Sequence, residues 1–256
     1  ICIDNKYGKK IKNICDKKKI TNITYGFARQ CDWRIVDASR LHNYTDVTIN
    51  NNNNKYSFTC KLIADYEIEN LLGAIILAKL NGLKIKKILE SIHNIKQSKG
   101  RLKKISMRTK TLSVYIDYAH TPDALKKSLE ALKLILKPSA RLILVFGCGG
   151  ERDKGKRKMM GKVAEKFADI VFITDDNSRN EDPASIRNEI ASCCKKSINV
   201  AGRKKAISKA ISIMKKNDIL LIAGKGHEKT QEIKGKVSLF DDEIVAKEYF
   251  DKRFSL

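Results

Sequence analysis

The chain has 256 residues, 42% of them apolar, enough for one large domain or two ordinary ones and too apolar for a disordered chain. Lys and Arg number 52 against 29 Asp and Glu, a net charge of +23 that is dispersed along the chain, and aromatics make up only 7%. That argues against a nucleic-acid-binding module, which would gather its basic residues on one face among aromatics, and no apolar run nears the roughly 18 residues that would insert into a membrane.

Ile and Asn are abundant as well, including the tract Asn50–Asn54. Lys, Asn and Ile share AT-rich codons, so genome bias accounts for all three together, although a basic surface would also draw an anionic, nucleotide-linked substrate. The 7 cysteines (Cys2, Cys15, Cys31, Cys60, Cys148, Cys193, Cys194) form no Cys-x-x-Cys pair and read as reduced cytoplasmic thiols rather than a zinc or redox site. The sequence begins at Ile1 with no basic-then-apolar leader, which excludes a signal peptide and suggests a piece of something longer.

In chain order, Ile1–Asp4, Asn22–Phe27 and Thr45–Ile49 read as short strands, Asn50–Asn54 as a polar hairpin turn and Lys55–Leu62 as its return strand. Glu67–Leu80 places Ile68, Leu71, Leu72, Ile75 and Ile76 on one helical face, and Asn81-Gly82 ends that helix. A second helix covers Ile85–His93. A domain boundary is expected near Ser98-Lys99-Gly100, separating residues 1–98 from residues 99–256.

The second part alternates strand-like and helix-like runs. Leu112–Asp117 precedes Pro122–Leu136, Arg141–Phe146 precedes Lys156–Ala168, and Ile170–Thr174 precedes Pro183–Lys195. Helix Lys204–Lys216 then leads to strand Ile219–Ala223, and helix Glu243–Phe250 closes the chain. Such alternation predicts an α/β fold with a mostly parallel sheet, and the unbroken apolar runs Leu142–Phe146 and Ile219–Ala223 suit strands covered on both faces. Thr121 and Pro122 supply an N-cap and a first helical residue.

In such a sheet, ligands gather beyond the carboxyl ends of the strands. Four loops leave those ends. Asp117–Asp123 carries an acid and an imidazole, His120, to a helix N-terminus, where backbone N–H groups favour anions. Gly147–Arg157 has four glycines among its first nine residues beside a dense run of charges, a candidate anion-binding loop that is neither a dinucleotide fingerprint nor a Walker A loop. Asp175–Pro183 alternates acid, amide and Arg, which suits a zwitterion: Asp for an ammonium, Arg for a carboxylate. Gly224–Thr230 ends in Lys-Thr but holds Glu228 where a P-loop needs its second glycine.

Together these loops resemble the Mur ligases. Asp117–Asp123 is similar to the segment that opens the C-terminal domain of that family, and Phe146–Arg157 and Ala223–Glu228 resemble loops of its MurE branch. Asp176-Asn177-Ser178-Arg179 resembles the branch's amino-acid-recognition motif, Asp-Asn-Pro-Arg. The resemblance implies the tail of the family's central ATPase domain over residues 1–98, followed by a Rossmann-like C-terminal domain over residues 99–256. It further implies an ATP-dependent ligase of peptidoglycan synthesis, cytoplasmic and monomeric, that activates the terminal carboxylate of UDP-MurNAc-L-Ala-D-Glu as an acyl phosphate and joins it to meso-diaminopimelate.

By motif position the resemblance assigns ATP contacts to Asn70, Arg101 and Asp117, with His120 on the same loop counted among them. It assigns diaminopimelate contacts to Arg152, Asp176, Asn177, Ser178, Arg179, Gly224 and Glu228. Family members that add lysine lack the motif's Arg, so Arg179 favours diaminopimelate. Ser178 departs from the motif's Pro, which frees a φ angle and adds a backbone donor without removing a charged group. No Gly-x-x-x-x-Gly-Lys-[Ser/Thr] occurs in the chain. The family's P-loop, Mg²⁺ ligands, modified lysine and UDP-binding domain are therefore expected outside it, and the chain alone is expected to be inactive. The alternatives are a folylpolyglutamate synthase-like ligase, which would not need Asp176–Arg179, and the nucleic-acid-binding module already weighed.

Overall fold

The structure is a computed structural model that describes residues 1–41, 44–106 and 111–254. It divides into two compact units, Ile1–Gln97 and Ser98–Leu256.

The first unit opens with helix α1 (Lys6–Lys17), capped by Asn5, whose side chain accepts from the N–H groups of Tyr7 and Gly8. Four strands follow: β1 (Tyr25–Gly26), β2 (Trp33–Arg40), β3 (Thr45–Asn51) and β4 (Asn54–Cys60). They form one sheet in the order β1-β2-β3-β4, with β1 parallel to β2 and the other pairs antiparallel. The β3–β4 turn holds Asn52 and Asn53 at φ of 48° and 66°, a left-handed conformation that Asn adopts more readily than most residues. Helices α2 (Asp65–Leu80) and α3 (Ile85–Ser91) cover one face. Ile68, Leu72 and Ile75 of α2 pack on Trp33, Ile35, Val47 and Ile49, each such aliphatic side chain contributing about 1.5–3 kcal/mol on burial. Glu67 closes the start of α2 by accepting from the N–H groups of Ile63 and Ala64.

Two expectations for this unit change. Ile1–Asp4 is a single bridge from Cys2 to Tyr25 rather than a strand, and Asn22–Phe27 shortens to the two residues of β1. Periodicity also passes over α1 and β2. The α1 helix leaves Ile11 and Ile14 exposed, and β2 alternates buried Trp33 and Ile35 with Arg34 before a bulge between Ile35 and Asp37 breaks the rhythm.

The second unit is a doubly covered sheet. Its strands are β5 (Lys103–Ile105), β6 (Ser113–Asp117), β7 (Leu142–Phe146), β8 (Ile170–Ile173), β9 (Ser197–Asn199) and β10 (Ile219–Ala223), ordered β5-β6-β10-β7-β8-β9. All pairs are parallel except β5 with β6. Helices α4 (Pro122–Leu134), α5 (Gly155–Phe167), α6 (Pro183–Ala191), α7 (Arg203–Ser212) and α8 (Asp242–Phe254) connect or follow the strands, and a hairpin of β11 (Thr230–Ile233) and β12 (Lys236–Leu239) precedes α8. Val114, Ile116, Val145, Leu220 and Ile222 pack on Ile207 and Ile211 of α7 and on Val245 and Phe250 of α8. The alternate strand residues, such as Leu144, Phe146 and Leu221, are equally buried and face the side taken by α4, α5 and α6. Both faces are thus covered, which is why the strand sequences are continuously apolar.

The order of strands fixes where a ligand can lie. β10 is last of the parallel strands in sequence but sits between β6 and β7. The loops after β6, β7, β8 and β10 therefore converge beyond one end of the sheet, at the point where the winding reverses.

Candidate functional site

A cleft of about 540 Å³ opens among these four loops. It is lined by Tyr118 and His120 from the loop after β6, by Gly147–Gly149, Arg152, Asp153 and Lys156 from the loop after β7, by Asp176, Asn177 and Arg179 from the loop after β8, and by Gly224 and Glu228 from the loop after β10.

The loops are joined backbone to backbone. The Gly150 N–H donates to the Asn177 carbonyl at 2.9 Å, and a Cβ on Gly150 would stand 2.0 Å from the Ser178 carbonyl oxygen, so a side chain there would force the two loops apart. Gly224 has φ +111°, and a Cβ on it would lie 2.8 Å from Asp176 Oδ2. These two glycines let the loops approach closely enough for their charged groups to share one cleft.

Arg179 is held in an unusual conformation, with φ of +50°. The β11–β12 hairpin maintains it: the Arg179 N–H donates to the Glu232 carbonyl at 3.2 Å, and the Lys234 N–H donates to the Arg179 carbonyl at 2.6 Å. Its guanidinium donates from Nη1 to the Gly150 carbonyl at 2.7 Å and keeps Nε 3.6 Å from Glu232 Oε2. Fixed in this way, the guanidinium sits at the cleft wall with further N–H groups for an anion, and exposed Arg152 faces the same space. A left-handed non-glycine residue costs about 1–3 kcal/mol and is retained where its surroundings determine it, often at ligand sites.

Acid and amide groups line the same cleft. Asn177 donates from Nδ2 to Glu228 Oε2 at 3.1 Å, while its Oδ1 accepts from Lys225 Nζ at 3.0 Å and from the Glu232 N–H at 3.1 Å. Asp176 accepts from the Asn177 N–H at 2.6 Å through Oδ1, and its Oδ2 lies 4.0 Å from Arg203 Nη1. Beneath the cleft, Arg203 is fully buried: Nε and Nη2 donate to the two carboxylate oxygens of Asp242, each at 2.7 Å, and Nη2 also donates to the Ala223 carbonyl at 2.9 Å. Arg157, also fully buried, pairs with Glu181 at 2.9 Å and Glu189 at 3.2 Å under the glycine-rich loop. The Cys148 thiol lines the cleft but is pushed up to about 12 by burial, so it is no nucleophile there.

The sequence-derived candidates do not all meet in the cleft. Arg152, Asp176, Asn177, Arg179, Gly224, Glu228 and His120 all line the one cleft. Ser178 does not: it is buried, its Oγ has no hydrogen-bond partner, and its carbonyl accepts from the Glu181 N–H of the same loop at 3.1 Å. Asp117 is buried at the end of β6, accepting from the N–H groups of Leu102 (3.1 Å) and Tyr118 (2.8 Å) and from the Ser128 hydroxyl. Burial pushes its carboxyl up, against those donors and nearby Arg101, and its oxygens hold the loop rather than open into the cleft. Arg101 lies over the Tyr118 ring at 5.2 Å, and Asn70 is exposed on α2 of the first unit.

Sequence reasoning assigned no role to Lys225, Arg203 or the β11–β12 hairpin. Faint signals existed. Lys225 stands between two glycines directly after an all-apolar strand, and Arg203-Lys204-Lys205 opens α7 with three cations where the helix dipole favours acids, a conflict that a buried acidic partner resolves for Arg203.

As a chemical environment, the cleft offers two guanidinium groups for a carboxylate and, from Glu228, a carboxylate for an ammonium. It therefore suits an amino-acid end. The chain is similar to several known ligases. Residues 100–226 match the glutamate ligase domain of Mur ligases. Over 240 residues the chain is 43% identical to the UDP-N-acetylmuramoyl-L-alanyl-D-glutamate--2,6-diaminopimelate ligase of Rickettsia montanensis, an alignment covering 93% of this chain and 49% of that protein. A solved structure of a ligase of the same name is similar with a TM-score of 0.68 at 30% identity, over 99% of this chain and 53% of that one. The folylpolyglutamate synthase of Mycobacterium tuberculosis, solved with ADP and AMPPCP, gives a TM-score of 0.67 at 15% identity over 85% of this chain and 50% of that one, a likeness of fold alone. The chain spans about half the length of the curated relatives it matches.

Proposed function

The chain belongs to the Mur ligase family, and from that premise we propose that it is the amino-acid-selecting part of an ATP-dependent ligase that joins meso-diaminopimelate to UDP-MurNAc-L-Ala-D-Glu. The observation that carries this reading is the convergence of Arg152 and Arg179 with Asn177 and Glu228 in one cleft. Diaminopimelate has two amino-acid ends. One end fits this cleft, its carboxylate on the arginines and its ammonium toward Glu228. The amine of the other end is then free to attack the activated carboxyl carbon of the D-Glu residue, forming the amide as phosphate leaves.

ATP belongs to the activation step. Arg101 beside Tyr118, and exposed His120, suit the edge of an anionic nucleotide, whereas the chain contains no Gly-x-x-x-x-Gly-Lys-[Ser/Thr] loop for its phosphates. Mg²⁺ prefers oxygen ligands. Among the described residues, the one cluster with metal-type donors in mutual reach is Cys2, Asp4 and Glu69; it includes a thiol, and the Asp4 carboxylate already accepts from the N–H groups of Phe27 at 2.7 Å and Ala28 at 2.8 Å. These groups do not fit Mg²⁺. In this reading residues 1–98 are the tail of the family's central ATPase domain, residues 99–256 its C-terminal domain, and the parent enzyme is cytoplasmic and monomeric.

Calorimetric titration of the chain with meso-diaminopimelate, L-lysine and L-glutamate tests the reading. Diaminopimelate is expected to bind at least about tenfold tighter than lysine, which lacks the second carboxylate that the arginines would hold. Equal affinities would overturn the substrate assignment, and a preference for glutamate would favour a folylpolyglutamate synthase-like ligase.

A further inference from the structure

Lys225, bonded to two residues that line the cleft, is a charged side chain to which the proposed function gives no task. It follows the last residue of β10 by two positions, and its side chain is fully buried although its ammonium meets two groups of the amino-acid site. Nζ lies 3.0 Å from Asn177 Oδ1 and 3.1 Å from Glu228 Oε2. Burying an ammonium is costly unless acceptors such as these surround it.

The consequence falls on those partners. An Asn side chain has two orientations that exchange its oxygen and nitrogen, and contacts decide between them. Here Oδ1 faces two groups that only donate, Lys225 Nζ and the Glu232 N–H at 3.1 Å, so the amide nitrogen must face the other way. Nδ2 then donates to Glu228 Oε2 at 3.1 Å. With Nζ and Nδ2 both on Oε2, no donor among the described residues is bonded to Glu228 Oε1, and Glu228 lines the cleft.

We propose that Lys225 is the positioning residue of this cleft. Its ammonium locks the Asn177 amide and the Glu228 carboxylate in the one arrangement that gives a ligand an amide N–H for its carboxylate and a free carboxylate oxygen for its ammonium. It thereby sets the preference for a zwitterionic end over a singly charged one. Without it Oδ1 keeps only the Glu232 N–H, so the amide is held less firmly, and its carbonyl oxygen faces the ligand's carboxylate for part of the time. The proposal rests on the reading of the cleft as a diaminopimelate site, but the locking of Asn177 can be measured without any ligand.

The test compares the unaltered chain with Lys225→Met and Lys225→Gln. The side-chain amide signals of Asn177, identified by their loss in Asn177→Asp, are followed by nitrogen–proton NMR, and meso-diaminopimelate and L-lysine are titrated by calorimetry. In Lys225→Met the Asn177 amide signals are expected to move and exchange faster with solvent, with the remaining spectrum dispersed as before. Diaminopimelate affinity is expected to fall about tenfold, as for a lost hydrogen bond to a charged group, and the preference over lysine to narrow. A purely structural role would leave that ratio and the amide signals unchanged, and this result would overturn the proposal. If Lys225→Met does not fold, Lys225→Gln, uncharged but still a donor, decides by the same readouts. If the unaltered chain shows no preference for diaminopimelate, the substrate assignment fails, and the Asn177 signals alone decide whether Lys225 locks the amide.

Discussion

Replacing Arg203 by Met removes a cation on which the floor of the cleft depends. Both partners of the Arg203–Asp242 pair are fully buried, and three hydrogen bonds would be lost: two to Asp242 at 2.7 Å and one to the Ala223 carbonyl at 2.9 Å. Hydrogen bonds to charged groups contribute about 1.5–3 kcal/mol each, but the cost of burying the two ions offsets much of that sum. What decides the magnitude is the Asp242 carboxylate left without its counter-charge, and breaking a buried pair from one side costs about 3–5 kcal/mol. Removing both charges is much milder, because no isolated ion remains; Arg203→Met with Asp242→Leu is expected within about 2 kcal/mol of the unaltered chain. Urea unfolding followed by far-UV circular dichroism, on both single variants and the double, measures the cycle. A double variant as unstable as the sum of the singles would refute the argument, since the loss would then come from packing rather than from an orphaned charge.

Three further outcomes are expected. Arg179→Gly relaxes the +50° backbone while deleting the guanidinium; stability should change by less than about 1 kcal/mol, yet diaminopimelate binding should fall tenfold or more, roughly the effect of one charged hydrogen bond, and a parallel loss of both would contradict the assignment. At the opposite end of the sheet, Asp218 is held below its ordinary carboxyl value of 3.8: burial opposes this, but donors from Arg141 and the Lys215 N–H outweigh it. A depressed carboxyl stabilises the fold above its unfolded value and loses that contribution as the pH falls through its folded value, so an acid titration below pH about 4 should destabilise the unaltered chain more steeply than Asp218→Asn. The Cys148 thiol, pushed up to about 12 by burial, should resist iodoacetamide at pH 8 in the folded chain and react once urea unfolds it; mass spectrometry showing native labelling of Cys148 as fast as that of half-buried Cys15 would contradict its burial.

Much of the second unit was legible because its signals are local. Runs such as Leu142–Phe146 and Ile219–Ala223 are apolar throughout because helices cover both faces of the sheet, and Thr121-Pro122 and Asp182-Pro183 mark helix starts through contacts within a few residues. The four polar loops followed from the rule that ligands collect beyond strand ends, and three of the four contribute lining residues from the family's amino-acid motifs. The first unit was harder to read. α1 presents exposed Ile11 and Ile14 among lysines, and the two residues of β1 are too few to show any period.

The sequence by itself determined which segments become strands and helices in the second unit and which loops carry carboxylates, amides and guanidinium groups, because those properties depend on side chains a few positions apart. Only the tertiary structure decided which loops meet. Placing β10 between β6 and β7 brings Glu228 to Asn177, 51 positions away, sets Lys225 between them, and joins Arg203 to Asp242 across 39 positions. The hairpin that holds Arg179 in its left-handed conformation acts across a similar span. Strand order comes from packing the whole sheet under its helices, and no local pattern encodes it.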